Sequence, residues 1–117
     1  MRSRRRSTCP VACSLDILGD KWTLLLVRDM LLEKDRFDQF LASPEGVATN
    51  ILADRLVRLT TAGLVEMRPN PDHRRRATYH LTERGTRLKP VLAAMVQWGL
   101  DNLPGTRPHT SKRASQP

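Results

Sequence analysis

Little in this 117-residue chain is of the kind that builds a reactive centre. It has two cysteines, Cys9 and Cys13, four residues apart. That spacing fits neither a C-x-x-C redox pair nor a four-ligand zinc site. Of the three histidines, His73, His80 and His109, none has a Cys, Asp or Glu at metal-ligand spacing. The chain contains no glycine-rich phosphate loop, no G-x-S-x-G and no pair of carboxylates in an apolar setting. We therefore expect no metal, no cofactor and no enzymatic activity. Long apolar runs are also missing, because Leu24–Val27 is broken by Arg28 and Asp29, so no membrane span is expected. The arginine-rich start lacks the apolar segment and cleavage site of a secretory signal. A cytoplasmic location follows as an expectation, with both cysteines as thiols.

Negative charge is scarce as well. The net charge is +8 and the pI about 10.7, values that point toward nucleic acid. Most of the excess belongs to the ends. Arg2, Arg4, Arg5, Arg6, Arg107, Lys112 and Arg113 lie where there is no acid, and positions 8–103 carry 13 basic against 12 acidic residues. In that nearly neutral body the densest positive cluster is Arg74, Arg75 and Arg76. Residues 1–8 read as a basic disordered arm, 9–103 as one domain, and 104–117 as a disordered polar tail.

The body is organised around Thr49–Gly63. Ile51, Leu52, Leu56, Leu59 and Leu64 recur at helical spacing, while Asn50, Asp54, Arg55, Arg58 and Thr61 fall mostly on the other side. Short polar groups and guanidinium groups on one helix face suit base edges and phosphates, and a solvated face is the alternative. Upstream, Pro10 and Gly19 bracket a short helix with Val11, Leu15 and Leu18 on one side. Asp20 is placed to cap a central core helix bearing Trp22, Leu25, Leu26, Met30 and Leu31. The start of that helix offers Lys21 and free N–H groups as a phosphate clamp, or simply a solvated lysine. Asp38 is expected to cap a helix over DQFLAS with Phe37, Phe40 and Leu41 facing the core, closed by Pro44. A turn over 45–48 then completes a helix-turn-helix.

After Gly63 the period changes from helix to strand. Residues 64–68 and 77–81 alternate as two strands, with PNPDHRRR between them as a turn-rich loop. Three arginines at a hairpin tip fit phosphate contact beside a groove-bound helix, with a solvated loop as the alternative. Thr82 is placed to cap a last helix that Pro90 bends or splits. Leu88, Val91, Leu92, Met95, Val96, Trp98 and Leu103 cover more than one face of it. That excess suggests a subunit interface using Val91, Met95 and Trp98, or a Trp98 that seals the core. The fold class expected is mainly α with a small β hairpin.

The segments CPVACSLDILGDKWTLLLVRDML, RFDQFLASPEGVATNILADRLVRLTTAGLVEMR and YHLTERGTRLKPVLAAMVQWG together resemble the HxlR family of bacterial winged helix-turn-helix transcription regulators. The likeness runs over about residues 9–100, through the Cys-Pro start, Gly19–Trp22, Arg36-Phe37, the Gly46–Leu56 spacing and Tyr79–Gly85. It implies a homodimeric DNA-binding repressor or activator, with a recognition helix over 49–59, a wing over 64–81, and a dimer formed by the N-terminal segment and last helix. On this resemblance Lys21, Arg36, Thr49, Asn50, Arg55 and the wing arginines Arg74, Arg75 and Arg76 are DNA contacts, to which the helical pattern adds Arg58. Some relatives sense electrophiles or oxidants through a cysteine matching Cys9, for which a buried structural thiol is the alternative; Cys13 is extra to the family pattern and is expected to be a small buried residue. Many relatives have Ser where this chain has Ala48, so Thr49 is expected to cap the recognition helix. The partner expected is double-stranded operator DNA of palindromic sequence, the effector is unknown, and the rival is a winged-helix module that binds protein instead.

Overall fold

A computed structural model describes residues 5–109, with the backbone alone at 73–75. The expected arm and tail fall partly outside these residues, at 1–4 and 110–117. In chain order the elements are α1 (Pro10–Leu18), α2 (Thr23–Leu31), α3 (Phe37–Leu41), α4 (Thr49–Thr61), β1 (Val65–Asn70), β2 (His73–Leu81), α5 (Glu83–Thr86) and α6 (Lys89–Asn102). The fold is mainly helical with one two-stranded antiparallel sheet. Among the described residues no helix is long and apolar enough to cross a membrane.

The core forms where α2, α3 and α4 turn their apolar sides together. Leu26, Val27 and Met30 of α2 meet Phe40 of α3 and Leu52, Leu56 and Leu59 of α4, with Val47, Leu64 and Val65 closing the ends. Spacings of three and four along α4 put its three leucines on one face. Each buried leucine contributes about 1.5–3 kcal/mol by leaving water. Phe40 stacks edge-on against Tyr79 of β2 at 6.2 Å between ring centres, which ties the hairpin to the helices.

Helix ends follow sequence signals. The Asp20 carboxylate accepts from the N–H of Trp22 at 3.0 Å and of Thr23 at 3.2 Å, satisfying donors that α2 leaves open. Gly63 at φ +78° closes α4: Leu64 N–H reaches Leu59 O and Gly63 N–H reaches Thr60 O, each at 3.0 Å. The Thr82 hydroxyl accepts from Gly85 N–H at 3.1 Å and caps α5. Pro90 sits in the first turn of α6 and so starts a separate helix.

Several expectations need correction. The hairpin strands run to Asn70 and from His73, leaving only Pro71 and Asp72 as the turn, where Asn70 Oδ1 accepts from Asp72 N–H at 2.9 Å. The arginines therefore lie on β2, in an irregular stretch: Arg68 pairs with Thr78 and Asn70 with His73, so Pro69 alone faces 74–77. Asp38 does not cap α3; the helix starts one residue earlier, and Gln39 Oε1 accepts from the N–H groups of Asp35 and Arg36 at 2.9 and 3.0 Å. Thr49 does not cap α4, because Ala48 holds that position without a side-chain bond and Thr49 is the first helical residue. At residues 5–8, Arg6 reaches Asp16 at 2.6 Å and Ser7 Oγ accepts from Cys9 N–H at 3.0 Å. At 104–109, the Thr106 hydroxyl donates to Leu103 O at 2.8 Å and to Gly99 O at 3.1 Å.

Candidate nucleic-acid interface

α4 presents two unlike faces. Leu52, Leu56 and Leu59 face inward, while Thr49, Asn50, Ala53, Asp54, Val57, Arg58 and Thr61 are exposed. Val57, at 64% exposure, stands among these polar groups and was not singled out by its spacing. Asn50 sits in the first turn, beside N–H groups that no side chain occupies, so the helix start faces outward with its partial positive charge open. Arg58 is 64% exposed, with Nε 3.1 Å from the Asp54 carboxylate.

Arg55 is placed differently from the outward position its spacing suggested. Its side chain is only 15% exposed, its Nε donates to Asp20 Oδ2 at 2.8 Å, and it also pairs with Asp54. Asp20 thus serves two partners at once, the first turn of α2 and the middle of α4. Burial raises the Asp20 carboxyl, but the Thr23 hydroxyl, the Arg55 guanidinium and the Trp22 N–H outweigh that and hold it at about 2. Of the N–H groups expected to be free beside Lys21, those of Trp22 and Thr23 are consequently taken. Lys21 itself is exposed, with its ammonium 5.3 Å from the centre of the Trp22 ring.

A second set of charges fixes the turn before α4. Arg28 Nη1 and Nη2 each donate to Glu45 at 2.8 Å, a two-pronged pair across the start of the turn. Arg28 Nε and Nη2 also reach Asp29 Oδ1 at 3.1 and 3.0 Å. Asp29 is 1% exposed and accepts from the Ser43 hydroxyl at 2.5 Å, while Lys34 donates to that hydroxyl at 2.9 Å. Hydrogen bonding to Arg28 holds the Glu45 carboxyl at about 2. No local pattern signalled this network, because Arg28 and Asp29 read along the chain only as an interruption of an apolar run.

The wing is tied to the segment before α3. Tyr79 N–H donates to Asp35 O at 2.8 Å, and Arg36 forms an isolated bridge with Thr78. Arg36, with its side chain 44% exposed and Nε 3.4 Å from Asp38, is therefore anchored by its backbone to the hairpin that carries Arg74, Arg75 and Arg76. Arg76 is exposed. Cys9 is exposed rather than buried, and Cys13, half-buried, donates its thiol to Ser7 O at 3.1 Å. Val91, Met95 and Trp98 are 42%, 53% and 61% exposed, so Trp98 does not seal the core of a single copy.

The sequence model of HxlR-like helix-turn-helix proteins matches residues 17–107. The chain belongs to the HxlR family. An uncharacterized HTH-type transcriptional regulator of Synechocystis is 36% identical over 80% of this chain and 69% of its own length. Curated relatives from Mycobacterium are longer, and the chain spans 59% of them. Among solved structures, that of PA1607, a candidate transcription factor, covers 97% of this chain and 81% of its own, at 37% identity and a TM-score of 0.80. The redox regulator HypR in its oxidized form covers 80% of this chain and 97% of its own, at 32% identity and a TM-score of 0.72. The HxlR fold expected from the residues is thus the fold found, a winged helix-turn-helix with α4 as its second helix and the β1–β2 hairpin as its wing. This HxlR-type protein is a transcription regulator, not an enzyme.

Proposed function

We propose that this HxlR regulator binds a palindromic operator as a homodimer, with α4 in the major groove and the hairpin arginines on the flanking backbone. One observation carries the reading: the outward face of α4 holds exposed Thr49, Asn50 and Arg58 on a helix whose other face is buried, beside a hairpin bearing three consecutive arginines. In this reading Asn50 pairs with adenine, Thr49 and Arg58 contact bases or phosphates, and Lys21, Arg36, Arg74, Arg75 and Arg76 contact phosphates. The dimer joins α1 and α6, since Val11 and Leu15 on one and Val91, Met95 and Trp98 on the other stand exposed in a single copy. Two recognition helices then lie about 34–36 Å apart in successive major grooves. Selection from random duplexes is expected to return a motif with two-fold symmetry, and Asn50→Ala to erase its preference while leaving non-specific binding. Recovery of no motif would remove the reading in favour of a protein-binding module.

A redox response is a second reading, favoured by the exposure of Cys9 and by the likeness to a protein described as a redox regulator. Diamide or a quinone should change DNA affinity in the wild type and leave Cys9→Ser unchanged. An equal response in both proteins would end it.

A further inference from the structure

The recognition helix carries two arginines, and only one of them faces outward. Arg58 is open to solvent, whereas the Arg55 guanidinium is folded back between Asp20 and Asp54. We propose that Arg55 is a positioning residue that latches α4 onto the first turn of α2, with Asp20 as the other half of the latch. This inference rests on the DNA-binding reading above and assigns to Arg55 a role different from the base or phosphate contact expected of it.

Three observations converge on the pair. Asp20 and Arg55 are 35 residues apart in sequence, so their bond joins two elements rather than decorating one helix. Both side chains are largely covered, at 23% and 15% exposure, which separates them from exposed pairs such as Arg87 and Glu83. Asp20 is itself immobilised by the Trp22 and Thr23 N–H groups and by the Thr23 hydroxyl. The guanidinium is therefore fastened to the central core helix, and α4 resists rotation about its own axis. Such a rotation would swing Asn50, Ala53, Val57 and Arg58 across the groove, and a small misalignment is enough to lose a two-pronged base contact. For Arg55 to read a base it would have to leave two carboxylates behind, one of them largely desolvated. A base contact would have to offset the loss of both pairings. Asp54 gains from the same arrangement, because Arg55 and Arg58 neutralise a carboxylate that would otherwise face phosphates.

The test uses full-length protein, a duplex obtained by selection with the wild type, and a scrambled duplex of the same composition. Dissociation constants are measured over a range of salt, under conditions where circular dichroism shows each variant folded. Asp20→Asn and Arg55→Gln should each reduce the selected-over-scrambled ratio by on the order of tenfold, with the double variant no worse than either. The slope of log affinity against log salt should not change in any of them. Arg76→Ala supplies the contrast, lowering that slope by about 0.9 if it touches a phosphate. Arg55→Lys, which keeps a charge for Asp20 but cannot grip a base with two prongs, should retain most of the ratio, and it carries the test if Asp20→Asn does not fold. A lower salt slope in Arg55→Gln would overturn the latch in favour of a phosphate contact. Loss of preference in Arg55→Lys as complete as in Arg55→Gln would overturn it in favour of a base reader. An unchanged ratio in folded Asp20→Asn and Arg55→Gln would reduce the pair to an ordinary stabilising bridge. A wild type that selects no duplex overturns the DNA-binding reading together with the latch, whereas the other results count against the latch alone.

Discussion

The α2–α4 body and the α1/α6 layer are built from similar residues and use them in opposite ways. In the body the leucines are inside, and the charges that hold α4 in place are satisfied by Asp20, Arg28, Asp29 and Glu45. In the layer neither helix has a single buried residue, and Val11, Leu15, Met95 and Trp98 are all more than half exposed. Between α2, α6 and residues 106–109 lies a groove of about 280 Å³ lined by Leu24, Leu25, Leu92, Met95 and Val96. One copy of the chain therefore completes the part that positions α4 and leaves its apolar outer layer unfinished. Exposed apolar area of this kind is what the proposed dimer of α1 and α6 would cover.

The widest gap between the two regions should appear on truncating their apolar side chains. Leu56→Ala, in a site 3% exposed, should cost roughly 3 kcal/mol in urea unfolding, a large part of a small domain's stability. Trp98→Glu should leave the far-ultraviolet spectrum intact yet weaken self-association by about thirtyfold or more in sedimentation, the effect expected of removing a central aromatic anchor. A Trp98→Glu protein that unfolds instead would place Trp98 within the core and erase the contrast.

Acid probes the charged side of the comparison. Both Asp20 and Glu45 have carboxyls held at about 2 in the fold, against ordinary values of 3.8 and 4.5. A carboxyl depressed by folding stabilises the fold fully above its unfolded value and loses that contribution as pH falls through its folded value. Stability should thus fall between about pH 4.5 and pH 2, by about 1–2 kcal/mol for Asp20 after allowing for solvent screening. Asp20→Asn should remove the Asp20 share of this fall and leave that of Glu45. The smallest effect is expected at the exposed i,i+4 pair of Glu83 and Arg87, where Glu83→Ala should shift stability by no more than about 0.5 kcal/mol.

What could be read from the chain was whatever rests on local periodicity and local chemistry. The inward leucines of α4, the glycine that ends it, the Thr82 cap and the break at Pro90 each depend on residues within a turn or two of one another. The hairpin was legible from alternation, though its strands extend further because an Asn70 side chain can close a two-residue turn that composition alone presents as a loop. Pairings between distant segments could not be read. Nothing near Arg55 announces Asp20, and nothing near Asp29 announces Ser43, so an inward arginine looked like an outward one and a buried carboxylate like a solvated one. The α1 apolar spacing was visible, but whether such a stripe meets the body or the solvent depends on where the helix docks.

That α4 and the wing form a DNA-binding surface is tested most directly by a salt titration of binding to a selected duplex. A steep linear fall of log affinity with log salt is expected. Changing Arg74, Arg75 and Arg76 together to Ala should lower that slope by roughly 2–3, close to 0.9 for each phosphate no longer neutralised. A wild-type affinity that barely responds to salt, or a triple variant whose slope and affinity match the wild type, would contradict the DNA-binding role.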